Sequence, residues 1–460
     1  MKNWFGISVL VLGAARQGTA VARFLSANGA KVILNDHRPQ KNFIDLQEEL
    51  NEGAIKWHFG GHPIRLLKNV EMLCISGGVP LDLPIIKEAS KRSIPLTNDS
   101  QIFLENVTAP VIGITGSAGK TTTTVFVGEI AKAAVKNDQK VWVGGNIGLP
   151  LIISLKDIKK NDLVILEFSS FQLELMTISP HIGAILNITP NHLDRHGTIH
   201  AYTTAKAHIL DYQQKDDIAV LNCEDHGSWN LFKSIQGKLI TFGKEKRDRN
   251  YPGTNLVDGY LQLYDGNVEK QIMSNKDIKL RGEHNLMNAL AACSIAFAAG
   301  FPIPSMQKGI AAVKGIPHRL EFVRNWREIS WYDDSIATTP ERTIAAIRSF
   351  NQPLILLLGG RDKKLPWNRL ATEVHNRVKH IVVFGEAAEL ISTTLTDHEE
   401  GNPPYNLKKY ENLEKAIYAA AEIAVPGDTV LLAPGGTSFD EFRDFEERGD
   451  IFKRIVNNLT

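Results

Sequence analysis

The stretch Val111-Ile112-Gly113-Ile114-Thr115-Gly116-Ser117-Ala118-Gly119-Lys120-Thr121-Thr122 decides how this chain is read. Its β-branched start predicts a strand, its glycines a tight loop, and Lys-Thr the opening of a helix. Such a loop turns backbone N–H groups toward phosphate oxygens and sets a helix N-terminus behind them. Lys120 then suits the terminal phosphates, and the Thr121 hydroxyl a magnesium ion. The strict spacing GxxxxGK[ST] is not met, because Ile114 occupies the first glycine position and Gly113 lies one residue early. The bland alternative is a glycine-rich β–α turn with an exposed lysine. The order strand, loop, helix favours phosphate binding.

Downstream, Leu163-Val164-Ile165-Leu166-Glu167-Phe168-Ser169-Ser170 ends an apolar run on an acid. After a phosphate loop such a residue is a plausible magnesium ligand; otherwise it is a strand-end Glu facing solvent. A third apolar run, Ala184–Ile188, leads into Asn187-Ile188-Thr189-Pro190-Asn191-His192-Leu193-Asp194-Arg195-His196, with Lys206 beyond. By itself Lys206 reads as a solvated helix lysine. Upstream, Gly13-Ala14-Ala15-Arg16-Gln17-Gly18 with Asp36 half matches the dinucleotide fingerprint GxGxxG, the middle glycine being Ala15. NAD, another nucleotide diphosphate and simple helix packing all stay open there. Near the end, Asp333-Asp334-Ser335, Gly359-Gly360-Arg361-Asp362-Lys363-Lys364 and Pro434-Gly435-Gly436-Thr437-Ser438-Phe439-Asp440 place bases and hydroxyls at strand ends. They suit a carboxylate-bearing substrate, or ordinary turns.

These motifs fall into three blocks, as a prior of roughly 150 residues per domain suggests for 460 residues. Residues 1–103 show strands at Ser8–Leu12, Lys31–Leu34 and Glu71–Ile75 separated by helical stretches, the rhythm of a parallel α/β sheet. Residues 104–316 hold the phosphate loop, with a short polar alternation over Tyr251–Ile278 that reads as a small antiparallel insertion. Residues 317–460 carry all-apolar strands at Leu354–Leu358, Ile381–Phe384 and Thr429–Leu432, suited to burial on both faces. The polar and glycine-rich residues gather at carboxyl ends of strands, where open α/β sheets bind ligands.

Composition narrows the function. Lys plus Arg is 52 against 51 for Asp plus Glu, so binding nucleic acid through bulk charge is not expected. Cys74, Cys223 and Cys293 form no CxxC pair, which disfavours a disulfide framework or a zinc site. No segment reaches the ~18 apolar residues of a membrane span. The stretch after Lys2 could pass for a signal peptide, but a second strand at Lys31–Leu34 favours a first β-strand. A cytoplasmic protein with no membrane partner is expected.

Taken together, the motifs resemble the Mur ligase family. Gly113–Thr122 is similar to its loop TGxxGK[ST], with the same departure from the strict spacing. Glu167-Phe168-Ser169-Ser170-Phe171-Gln172-Leu173-Glu174, Asn146-Ile147-Gly148, Gly282-Glu283-His284-Asn285-Leu286-Met287-Asn288-Ala289 and Pro317-His318-Arg319 fit in order. The ending Ser438–Gly449 resembles the D-glutamate-adding branch, and the likeness spans all three blocks.

The resemblance implies an α/β fold of three domains: a Rossmann-like N-terminal domain for the UDP substrate, a central P-loop-type ATPase domain with a mainly parallel sheet, and a Rossmann-like C-terminal domain for D-glutamate. It implies an ATP-dependent ligase that phosphorylates the alanine carboxylate of UDP-N-acetylmuramoyl-L-alanine, which the amine of D-glutamate then attacks through a tetrahedral intermediate. The work would be peptidoglycan precursor synthesis in the bacterial cytoplasm, by a monomer acting on small molecules. Gly116, Ser117, Ala118, Gly119, Lys120, Thr121, Thr122, Asn285, Asn288, His318, Arg319 and Asp334 would contact ATP. Thr121 and Glu167 would hold one magnesium, His192 and a carbamylated Lys206 a second, with Lys120, His192 and Lys206 at the chemistry. Gly13, Arg38, Ser76, Asn146 and Ser169 would line the UDP-substrate path; Thr338, Lys363, Ser438 and Phe445 would seat D-glutamate. Where many members carry Asp-Ser-Lys-Ala-Thr, this chain has Asp334-Ser335-Ile336-Ala337-Thr338, leaving Arg342 or Lys364 to replace the lost base.

The alternatives are a sibling ligase adding another amino acid, a folylpolyglutamate synthase-like ligase, a switch or transport NTPase, a nicotinamide dehydrogenase and a non-catalytic nucleotide-binding regulator. No Asp-Asn-Pro-Arg motif for diaminopimelate is present, Asn275-Lys276-Asp277-Ile278 misses the guanine motif NKxD by register, and a dehydrogenase leaves the phosphate loop unexplained.

Overall fold

The computed structural model describes residues 3–50, 55–136, 138–148, 150–245, 251–280, 282–363, 365–397 and 405–460. The chain divides into two compact units, Met1–Lys279 with Glu283–Val313, and Leu280–Gly282 with Lys314–Thr460. Among the described residues no helix is long and apolar enough to cross a membrane.

The first unit holds two sheets. The five-stranded one runs Ile55–Phe59, Lys31–Asp36, Ser8–Leu12, Met72–Ile75, Leu96–Thr97 in space, all parallel. Val9 to Leu12 are buried completely, as a central strand between two helix layers requires. Strand order reverses beside Ser8–Leu12, so Gly13 and Ser76 follow the two strands that flank the switch point. Gly13 takes φ +90°, a conformation open to glycine, and the helix Arg16–Ala27 starts just beyond it.

The second sheet has nine strands, ordered Glu269–Ser274, Tyr260–Tyr264, Gly253–Val257, Lys238–Phe242, Ile218–Asn222, Ile182–Ile185, Val111–Thr115, Leu163–Glu167, Val141–Gly145. The expected small insertion is its far end. Gly253–Val257, Tyr260–Tyr264 and Glu269–Ser274 pair antiparallel, and Gly253–Val257 joins the parallel part through Lys238–Phe242. Val111–Thr115 lies between Leu163–Glu167 and Ile182–Ile185, all three parallel, so Thr115 and Glu167 end on one edge.

The second unit is a six-stranded sheet ordered Glu321–Trp326, Ile329–Asp333, Thr429–Gly435, Leu354–Gly359, Val378–Phe384, Asn406–Tyr410, parallel except for its first pair. Leu354 to Leu358 are almost wholly buried, each side chain contributing roughly 1.5–3 kcal/mol of hydrophobic stabilisation. Asp334, Gly360 and Gly436 follow directly on the carboxyl ends of three adjacent strands.

Candidate active site

The loop after Val111–Thr115 is braced from the neighbouring strand. Ser117 N donates to Asn187 O at 2.9 Å, Ala118 N donates to Asn187 Oδ1 at 2.8 Å, and Asn187 Nδ2 returns a bond to Ala118 O at 3.1 Å. That bracing corrects the strand expected at Ala184–Ile188, which is observed at Ile182–Ile185: Leu186 N makes one more bond to Thr115 O, and from Asn187 the chain turns its polar groups to the loop. Gly119, at φ +83°, caps the helix Lys120–Ala134. A Cβ on Gly119 would collide with Asn288 Oδ1, so this glycine lets Asn288 approach the loop. Asn288 Nδ2 donates to Asn285 Oδ1 at 3.1 Å, which brings both expected ATP contacts on the helix Glu283–Ala298 to the loop's side. Thr122 is buried and its hydroxyl has no partner among the described residues, so of the two threonines Thr121 is the outward one.

Lys120, Thr121, Glu167, Asn146 and Lys206 converge on this loop. Lys120 Nζ donates to Gly116 O at 2.9 Å and Ser117 O at 3.4 Å. Thr121 Oγ1 donates to Glu167 Oε2 at 2.8 Å, while Asn146 Nδ2 donates to Glu167 Oε1 at 2.9 Å. Glu167 is buried at the strand end, so the reading of it as a solvent-facing acid is wrong. A hydroxyl and a carboxylate on one point form the hard oxygen set that magnesium prefers. Lys206 is 1 % exposed and not a solvated lysine. The helix Ile199–Asp211 packs it inward, where its Nζ donates to Thr115 Oγ1 at 3.2 Å and Gly116 O at 2.9 Å. Burial, then the charge of Lys120, hold its amine well below the ordinary lysine range, with Glu167 pulling the other way. Tyr202, one helical turn earlier, sets its ring 4.8 Å from this amine and its hydroxyl 3.1 Å from Ser117 Oγ.

An ammonium is no partner for a cation. Burial favours the uncharged amine, whose lone pair is what captures carbon dioxide as a carbamate. A carbamate on Lys206 would turn that amine into an anionic oxygen ligand. His192 takes left-handed backbone angles at φ +52°, a strain of the sort stored at functional sites. Its ring packs edge-on against Phe171 at 5.1 Å.

In the first sheet, Ser76 Oγ donates to Gly13 O at 3.0 Å, closing the switch-point loop. Asp36 does not present the free carboxylate of an NAD site. Arg38 grips it with Nε and Nη2 at 2.9 and 3.0 Å, and Ala14 N donates to it at 2.8 Å. Burial alone would raise its pKa, but these bonds outweigh burial and bring it down to about 2. Ser169, beyond Glu167, caps its short helix by accepting from Gln172 N at 3.2 Å.

In the second unit, His318 also takes a left-handed conformation, at φ +60°, with Nδ1 2.8 Å from Asp333 Oδ2 and its ring 6.1 Å from that of Phe445. Burial lowers its pKa, but the hydrogen bond and charge of Asp333 prevail and raise it. Arg319 Nε is buried without a partner among the described residues, as a guanidinium awaiting a ligand would be. Burial pushes the carboxyl of its neighbour Asp334 up to about 7. His318, Glu321 and Asp333 bring ligand atoms within 4.8 Å of one another, but Lys453 Nζ already pairs with Glu321 at 3.1 Å, so an ammonium serves there.

Lys363 Nζ donates to Thr338 Oγ1 at 3.3 Å. Partial burial, then the charges of Arg342 and Arg448, hold its ammonium below the usual range. Crowded cations of this kind suit an anionic ligand. Arg342 Nη1 donates to Ile336 O at 3.1 Å, which places a guanidinium beside that position; Lys364 lies outside the described residues. Ser438 is buried and its carbonyl accepts from Phe442 N at 2.8 Å.

Sequence reasoning gave no role to Asn187, Tyr202, Arg195 or Arg448. Arg448 is fully buried and donates to Ser335 Oγ, Ser335 O and Gly436 O at 3.0, 2.9 and 3.2 Å. The available signals were an arginine in a mostly polar helix and an aromatic one turn before Lys206.

Comparison with known proteins finds one family along most of the chain. Residues 7–98 match a family described as Mur ligase MurD-like, N-terminal domain; residues 114–296 match Mur ligase middle domain; residues 318–436 match Mur ligase, glutamate ligase domain. A UDP-N-acetylmuramoylalanine--D-glutamate ligase of Pelotomaculum thermopropionicum is 37% identical, with 100% of this chain and 99% of that protein covered. The ligase of the same name from Koribacter versatilis is 36% identical over 99% and 98%. Among solved structures, a UDP-N-acetylmuramate-alanine ligase, MurC, from Thermotoga maritima shares the fold at a TM-score of 0.60 and 18% identity, covering 98% of this chain and 99% of that one. E. coli FolC shares it at 0.57 and 16% identity, over 78% and 92%.

Proposed function

The chain belongs to the Mur ligase family, and from that premise we propose that it joins D-glutamate to UDP-N-acetylmuramoyl-L-alanine at the expense of ATP, in peptidoglycan precursor synthesis. The observation that carries this is the convergence of Lys120, Thr121, Glu167, Asn146 and Lys206 on one phosphate loop.

The difficulty the site must overcome is charge. A polyphosphate, a nucleotide diphosphate and a carboxylate must meet, and two unit charges ~4 Å apart at an effective dielectric of ~20 repel by roughly 4 kcal/mol. Lys120, the loop N–H groups other than those of Ser117 and Ala118, which Asn187 holds, and the N-terminus of Lys120–Ala134 would face the transferring phosphate, with the remaining loop residues Gly116, Ser117, Ala118, Gly119, Thr121 and Thr122 around it. Thr121 and Glu167 would hold one magnesium, His192 and a carbamylated Lys206 a second. Magnesium supplies charge neutralisation and stabilises the charge that develops in transfer. Asn285, Asn288, His318, Arg319 and Asp334 would hold ATP. Gly13, Arg38, Ser76, Asn146 and Ser169 would line the path of the UDP substrate, whose alanine carboxylate takes the γ-phosphoryl group and releases ADP. Thr338, Lys363, Ser438 and Phe445 would seat D-glutamate, whose neutral amine adds to the acyl phosphate and expels phosphate. We assign residues 1–103, 104–316 and 317–460 to the three substrates in that chain order: UDP substrate, ATP, D-glutamate. We place the reaction in the bacterial cytoplasm, carried out by a monomer with no nucleic-acid or membrane partner.

The experiment is phosphate release and amide detection with ATP, magnesium and UDP-N-acetylmuramoyl-L-alanine, adding amino acids singly. Product with D-glutamate alone is expected. Product with another amino acid instead would move the chain to a sibling activity, and none with any would refute the substrate assignment.

A further inference from the structure

The turn that carries His192 also carries Arg195, on the short helix Leu193–His196. Its guanidinium lies over the Phe171 ring, 4.6 Å from the centroid. Nη2 donates to Val79 O at 2.6 Å and Nη1 to Gly77 O at 3.3 Å. Those carbonyls belong to the loop after Ser76, whose hydroxyl closes on Gly13. Phe171 belongs to the segment after Glu167, and its ring packs against His192 at 5.1 Å and stacks on His196 at 5.3 Å. His196 Nε2 in turn lies 3.0 Å from Ser170 Oγ. One side chain thus braces three segments: the switch-point loop of the first sheet, the turn after Glu167, and the turn of His192. Glu174 supplies an opposing charge; burial raises its carboxyl pKa, and Arg195 is the first of two cations that pull it back. A flat fork that donates to two carbonyls while lying on a ring is a task for arginine and not for lysine.

We propose that Arg195 is a positioning residue that couples the loop binding the UDP substrate to the turn bearing His192. Substrate seated against Gly13 and Ser76 then sets the register of that turn through one guanidinium. This rests on the assignment of Gly13 and Ser76 to the UDP substrate.

The test uses the full chain with Arg195→Met and Arg195→Lys. Calorimetry without ATP or metal gives the Kd of UDP-N-acetylmuramoyl-L-alanine, a separate titration gives that of ATP, and kinetics give the magnesium concentration for half-maximal rate. Arg195→Met is expected to weaken the UDP substrate about tenfold and raise the magnesium requirement, with ATP affinity within about twofold and Tm near that of the parent. Arg195→Lys, which keeps the charge and protects the fold if methionine does not, should recover only part of the loss. An unchanged Kd for the UDP substrate would overturn the coupling, as would equal losses of ATP and UDP-substrate affinity with a lowered Tm. Full recovery by lysine would contradict the need for the fork. Failure of the functional assignment is distinguishable, since the parent protein would then itself not bind UDP-N-acetylmuramoyl-L-alanine.

Discussion

Among the described residues each unit buries one Lys or Arg side chain, and burial lowers the pKa of both with different consequences. Lys206 is 1 % exposed and Arg448 is 0 % exposed. The lysine amine starts from 10.5, gives two hydrogen bonds, has Lys120 nearby, and is driven toward neutrality. The guanidinium is lowered by burial only to about 10, with Asp440, Asp333 and Glu441 opposing, and so stays charged at neutral pH. Its N–H groups are spent on Ser335 and Gly436, the residues that shape the loops beside Ser438. A buried cation that can lose its proton becomes a reactive amine. One that cannot becomes a brace.

The same substitution should therefore act in opposite directions at the two positions. Lys206→Met is expected to lower amide formation by about a hundred- to a thousandfold, since the anionic ligand it would supply is gone. Stability at neutral pH should hold or rise, because Gly116 O keeps its bond from Lys120 and Thr115 Oγ1 keeps its bond to Phe168 O. The sign follows from linkage: a lysine pKa lowered on folding means stability that grows with pH up to the ordinary lysine value, and methionine removes that slope. Added short carboxylates should restore part of the activity of Lys206→Ala; full activity without them would show the carbamate to be unnecessary.

Arg448→Met should instead destabilise by about 3–5 kcal/mol, measured by denaturant unfolding, because Ser335 O and Gly436 O lose their buried donors. A gain in stability would erase the contrast. A smaller effect is expected at Asp334, whose buried carboxyl titrates near 7 against 3.8 unfolded. A raised acid contributes stability that is complete below about pH 4 and is lost as pH rises through about 7. Asp334→Asn should flatten the stability profile in that window by about 1–3 kcal/mol, and an unchanged profile would show that the group titrates normally.

The contrast also explains what the sequence made legible. Val111–Thr122 could be read because strand, loop and helix are contiguous and their spacing is set by phosphate geometry. Glu167 followed from its place at the end of an apolar strand beside that loop. Lys206 could not be read from its neighbours, since its burial comes from the packing of Ile199–Asp211 beneath Thr115 and Gly116, 90 residues away. Its proposed role comes from the resemblance, and the structure adds its burial. Arg448 was missed because its partners are more than a hundred residues back at Ser335 and twelve back at Gly436, which no local pattern joins. The end of Ile182–Ile185 was misplaced for a related reason: Asn187 reads as a strand residue until the loop it braces is in view.

The proposal most open to direct test is that the buried amine of Lys206, held below the ordinary lysine range, is carbamylated. Incubation with ¹³C-bicarbonate followed by ¹³C NMR tests it directly. A carbamate resonance in the parent protein that is absent from Lys206→Met is the expected result. A parent spectrum without it at saturating bicarbonate, in a preparation that still makes the amide, would contradict the account.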